Sequence, residues 1–152
     1  MTAKDAKAVR GKIVSYCEWG IANSGRIHYA QTRPIPVAAP KKLPLVTDCS
    51  GFATLAYKWA GAPDPNGNKY SGAGWTGSLA ANGKRVTVPQ PGDLIIYGDA
   101  PTHHVVVYMY EWHGAWVVCS HGQEIGPLRV LQHREEVAQP APRRIYSYLP
   151  RA

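Results

Sequence analysis

A chain of 152 residues with 45% hydrophobic and 18% charged residues has the size and balance of one globular domain, spanning 1–152, and holds no apolar stretch near the roughly 20 residues that a membrane-spanning helix needs. The net charge of +7 favours an anionic partner, but the basic residues stand singly or in pairs such as Lys41-Lys42 and Arg143-Arg144, without the blocks of nucleic-acid-binding arms, so no nucleic-acid partner is expected. Three cysteines, Cys17, Cys49 and Cys119, are odd in number and form no CxxC pair, which argues against a disulfide framework and leaves at least one thiol free for chemistry.

The first ten residues alternate charge with alanine, where a secretory signal would carry a continuous apolar core. The expectation is synthesis in a cytoplasm without a signal peptide. Over 5–21, Ala6, Val9, Ile13, Cys17 and Ile21 recur at helical spacing, and Asn23-Ser24-Gly25 supplies turn residues, which predicts an amphipathic helix. Cys17 lies on its apolar stripe and reads as a small buried hydrophobe. Residues 31–47 hold Pro34, Pro36, Pro40 and Pro44, which remove backbone donors and predict an extended loop leading into Asp48.

A short buried helix follows over 50–60, beginning right at Cys49. Phe52, Leu55, Ala56, Trp59 and Ala60 fall at i, i+3, i+4, i+7 and i+8, and Gly61 and Pro63 end it. Residues 62–77 are too rich in Gly, Pro and Asn for regular structure and form a loop long enough to wall a functional site. Beyond Pro89 the period changes to two. Runs at 94–97, 105–110, 116–120 and 145–149 predict strands of a meandering antiparallel sheet, so the fold class is α+β, helices first.

Cys49 opens a helix, where unpaired N–H groups and the macrodipole favour a thiolate; Cys119 lies inside the apolar strand Trp116-Val-Val-Cys-Ser120, where burial favours the neutral thiol. A thiolate nucleophile needs a base. His104 starts a strand after the 98–102 turn, and His121 ends the next strand, so neighbouring strands are expected to hold the two imidazoles side by side, one as base and one orienting it. His28, His113 and His133 read as surface residues.

Asp48-Cys-Ser-Gly-Phe52 at a helix start, Pro89-Gln-Pro-Gly-Asp-Leu94 entering a strand and His104-Val-x-x-Tyr108, in that order, resemble the NlpC-like cysteine peptidases of bacterial cell walls, which have a papain-type fold. The resemblance covers roughly residues 5 to 149. It implies that Cys49 is the nucleophile, His104 the base and His121 the third, orienting residue. It also implies cleavage of the γ-D-glutamyl-diaminopimelate bond, or a nearby amide, in peptidoglycan stem peptides, with no metal or organic cofactor. Val106 stands where the family usually has Gly, and Ile27-His-Tyr-Ala30 with a Pro-rich insert replaces the usual approach to the cysteine. Tyr29 is a candidate for the upstream tyrosine lining the site, or a core aromatic. Asp48 and Ser50 are substrate-contact candidates, Asp48 equally a helix cap. His103, one residue from His104, would take its place if the strand register were off by one.

The partners implied are bacterial peptidoglycan and, through the +7 charge, anionic wall polymers, met by a monomer that a phage holin, a virion or a secretion machine delivers. Alternatives are an N-acetylmuramoyl-L-alanine amidase or acyltransferase on the same fold, a zinc site built from Cys49, Cys119, His104 and His121, and a non-catalytic wall-binding or tail-structural domain.

Overall fold

The computed structural model describes residues 1–36, 38–99, 102–122 and 126–151. Helix α1 (Ala3–Ala22) starts at a capping box: Thr2 Oγ1 accepts the Asp5 N–H, and the Asp5 carboxylate accepts the Thr2 N–H, each at 3.1 Å. Its buried positions Ala6, Arg10, Ile13, Cys17 and Gly20 keep the helical spacing expected for one packed face. Gly20 is needed for close approach, because a Cβ there would run into the Phe52 ring of helix α2 (Cys49–Trp59). Every residue of α2 from Cys49 to Tyr57 is buried, so this helix is the centre of the molecule.

The two helices pack on one face of a six-stranded antiparallel sheet. Its strands are β3 (Lys84–Val86), β4 (Leu94–Tyr97), β5 (His104–Trp112), β6 (Ala115–Ser120), β7 (Leu128–Leu131) and β8 (Arg143–Ser147), in the order β3-β8-β4-β5-β6-β7. The mixed α+β class is therefore observed. The alternation of strands splits their side chains: Leu94, Ile96, Val105, Val107, Met109, Val117 and Cys119 join the helix-packed core, while Ile95, Tyr97, Val106, Tyr108, Val118 and Ile145 cluster on the opposite face. No helix among the described residues is long and apolar enough to cross a membrane.

The sheet is not the plain meander expected. β8 returns to pair with both β3 and β4, and it runs over Arg143–Ser147 in place of 145–149. Four short elements also lack a sequence signal of useful length. They are β3, β7, helix α3 (Thr76–Asn82), which takes over the end of the 62–77 loop, and helix α4 (Gln132–Ala138). Within the proline-rich segment the last three residues form β2 (Leu45–Thr47), paired in parallel with β1 (Ile27–Tyr29), Tyr29 opposite Thr47. Strands of three residues carry too little alternation to read.

Asp93, in the Pro-Gly-Asp-Leu turn, has no solvent exposure and fastens α1 to the sheet. Its carboxylate takes Arg10 Nη1 at 2.6 Å, Arg151 Nη1 at 2.8 Å and the Gln90 N–H at 2.8 Å, while Arg10 also donates to Pro91 O, Ser147 Oγ and Leu149 O. Breaking such a buried pair leaves an uncompensated cation. Asp93→Ala is expected to lower the unfolding free energy by about 3–5 kcal/mol in a denaturant titration. A loss below 1 kcal/mol would mean that Arg10 finds water instead.

Candidate active site

The local sequence places Cys49 as the first residue of α2. Asp48 is its N-cap: Oδ1 accepts the Gly51 N–H at 2.8 Å, and the Asp48 carbonyl accepts the Phe52 N–H. The Cys49 N–H, in the first turn, has no acceptor within the helix. The start of β5 packs against this end of α2, setting His104 and the Val105 N–H beside the Cys49 thiol. Burial pushes the thiol up, but the bond to His104, its positive charge and the Val105 N–H outweigh burial and a smaller opposing push from Asp48. The thiol ends below its ordinary value.

His104 Nε2 lies 3.0 Å from Ser120 Oγ and 3.3 Å from Glu135 Oε1, which leaves Nδ1 as the ring nitrogen for the thiol. Glu135 comes from α4, a helix held to the sheet by Gln132 Nε2 donating to the Tyr97 hydroxyl at 3.2 Å. Gln139 Nε2 donates to Glu135 Oε1 at 3.1 Å, and Ser120 adds a smaller stabilisation of the carboxylate. Burial works against both ions of this pair, yet each is stabilised by the other. The bonds and charges of Cys49 and Glu135 push His104 up to about 9, and Glu135 stays below the usual carboxylate value. The Tyr97 ring stacks behind the imidazole.

His121 does not take the place expected for it. Its Nε2 lies 2.9 Å from the Thr47 carbonyl, which can only accept, so that nitrogen carries the proton; its ring sits edge-on to Tyr29 and Phe52. The reason is strand parity. Cys119 pairs with Val107 and faces the helices, Ser120 turns to the face bearing His104, and His121 turns back toward α2. Ser120 and Glu135 thus hold the orienting positions on His104. The position of Ser120 could have been read by alternation from the buried Cys119. Glu135 was signalled only by a polar stripe, Gln132, Glu135, Glu136 and Gln139 at i, i+3, i+4 and i+7, where an apolar one is usually sought.

Tyr29 lies at the centre. Its hydroxyl lies near Cys49; burial, with the negative charges of Cys49 and Asp48, pushes it up to about 12, so the phenol remains a neutral donor. Asp48 and Ser50 line the site but are already engaged. Arg33 Nη2 lies 2.9 Å from both Asp48 Oδ2 and Ser50 Oγ, and its Nε donates to Gly74 O at 2.7 Å. Arg33, which carried no motif, thus ties the proline-rich segment to the 62–77 loop and to α2. His103 is exposed on the cleft wall, donating its N–H to Tyr97 O, so His104 is the imidazole on the thiol. Ala100 and Pro101 of the expected 98–102 turn lie outside the described residues.

Two cavities meet at this point, sharing Tyr29, Gln31, Thr102 and His103. One, of about 360 Å³, holds Arg33, Asp48, Cys49, Ser50, Trp75 and Thr76; the other, of about 620 Å³, holds His104, Ser120, Glu135 and Gln139. Cys17 and Cys119 contact each other in the core, where that hydrogen bond and burial hold the Cys119 thiol far above its ordinary value. Among the described residues no cluster of three His, Cys, Asp or Glu could hold a metal ion, and the four residues considered for zinc are split between the cleft, the Cys17 contact and the Thr47 carbonyl.

No protein-family model matches the chain, and no curated protein sequence matches it significantly.

Proposed function

We propose that the protein is a cysteine peptidase that hydrolyses an amide bond in the stem peptide of bacterial peptidoglycan, first the γ-D-glutamyl-diaminopimelate bond, on a papain-like NlpC-type fold. The observation that carries the chemistry is the Cys49 thiol on one side of the His104 ring with Glu135 and Ser120 on the other. The substrate rests on the likeness of the Asp-Cys-Ser-Gly-Phe, Pro-Gly-Asp-Leu and His-Val-x-x-Tyr segments to that family.

The Cys49 thiolate adds to the amide carbonyl carbon, and the resulting oxyanion is held by the Cys49 N–H, with the Tyr29 hydroxyl at hand as a second donor. The His104 imidazolium gives its proton to the amide nitrogen, the C–N bond breaks and the amine leaves, giving a thioester. His104, now neutral, takes a proton from water as the water oxygen attacks the thioester. The carboxylic acid departs and the thiolate–imidazolium pair is restored. Glu135 and Ser120 keep the ring oriented and favour its charged form throughout.

Digestion of purified diaminopimelate-type peptidoglycan, with the fragments identified by mass spectrometry, tests this reading. New diaminopimelate amines opposite L-Ala-γ-D-Glu ends are expected. Whole stem peptides released from muramic acid would replace it with an amidase, and retention on the wall without soluble product would replace it with a binding domain.

A further inference from the structure

The 62–77 loop ends in Trp75, an indole that is 55% exposed yet rigidly held. Its ring lies against Gly77, where any Cβ would collide with it. The Trp75 backbone N–H donates to Ser78 Oγ at 2.9 Å, Ser78 is 2.8 Å from Asn66 Oδ1, and Asn66 Nδ2 donates to Thr54 Oγ1 at 2.9 Å on the nucleophile helix. A large apolar surface is thus fixed relative to Cys49 and left bare at the cleft rim. Every other described residue lining that cavity, Cys49 aside, offers a hydrogen-bonding side chain.

The direction of the substrate follows from the proton that His104 must deliver. The leaving amine has to reach His104, so the leaving portion lies in the larger cavity with Glu135, and the acyl portion lies in the smaller one with Asp48 and Trp75. In a stem peptide cut after γ-D-glutamate, the acyl portion runs back through L-alanine to muramic acid. A peptide freed from its glycan would bring an ammonium at that end. Asp48, the one carboxylate among the described residues lining this cavity, is occupied by Arg33, Ser50 and the Gly51 N–H. A pyranose ring instead presents a face of C–H bonds with hydroxyls around its edge, which fits one indole face surrounded by polar groups.

Resting on the peptidoglycan reading above, we propose that the acyl side of the cleft takes stem peptides still joined to their glycan, with Trp75 as the platform for the muramic acid ring. The test compares kcat/KM on two soluble substrates with the same scissile bond, a disaccharide-tetrapeptide and the free tetrapeptide, for the wild-type protein, Trp75→Ala and Trp75→Phe. The wild-type protein is expected to prefer the disaccharide-peptide. Trp75→Ala is expected to lower that preference about tenfold, mainly through KM, which is the scale of a lost aromatic stacking contact, and Trp75→Phe to restore most of it. An unaltered preference in Trp75→Ala, or a wild-type preference for the free peptide, overturns the platform alone. Hydrolysis of neither substrate by the wild-type protein overturns the peptidoglycan reading and the platform with it.

Discussion

Cys49→Ala is expected to remove hydrolysis by roughly 10⁴–10⁶-fold, the scale on which loss of a nucleophile acts in a catalytic triad, without unfolding the protein. The thiol is the only one of the three that lines a cleft; Cys17 and Cys119 are 0% and 2% exposed and contact each other inside the core. Cys17→Ala and Cys119→Ala are therefore expected to lower thermal stability and to retain turnover. Iodoacetamide at neutral pH should alkylate Cys49 first, since its thiol is held below the ordinary range while burial and Cys17 hold Cys119 far above it. Loss of turnover in well-folded Cys17→Ala or Cys119→Ala, with activity surviving in Cys49→Ala, would overturn the assignment.

For the base, His104→Ala is expected to cost about 10³–10⁴-fold or more in kcat, and Glu135→Gln less than the roughly 10⁴-fold of a mis-set tautomer, because Ser120 Oγ still accepts the Nε2–H. The pH profile separates orientation from packing. The proposed mechanism needs the thiolate and the imidazolium together, so kcat/KM is expected to rise as Cys49 loses its proton and to fall as pH passes about 9, where His104 loses its own. The two limbs belong to the coupled pair. Glu135 favours the charged ring, so removing its charge in Glu135→Gln should move the alkaline limb to lower pH, and weaker support for the thiolate should move the acid limb up. His121→Ala, which loses the bond to the Thr47 carbonyl ahead of Cys49, should leave the alkaline limb near 9 and appear chiefly as lower stability. A profile insensitive to Glu135→Gln but shifted in His121→Ala would return the orienting role to His121.

What the sequence by itself determined lies where a local pattern is long or chemically sharp. The apolar repeat through Ala6, Ile13 and Cys17, the run 94–97 and the start of a helix at Cys49 after Asp48 follow from periodicity and capping. Those signals concern neighbours in the chain, so they survive without knowledge of the fold. The likeness that singled out Cys49 and His104 is of the same kind, since each motif is a short stretch.

The tertiary structure alone decided the partners. Glu135 reaches His104 from 31 residues away on a seven-residue helix whose one large apolar residue, Val137, is 89% exposed, so no hydrophobic stripe marked it. Arg33 neutralises Asp48 across a segment whose prolines suppress any regular pattern. Ser120 and His121 differ by one position, and a single step along a strand sends one side chain to His104 and the other toward α2. Pairings of this sort depend on how elements dock, and docking is fixed by the shared core and by buried polar contacts such as Gln132 with Tyr97, which leave no trace in local spacing.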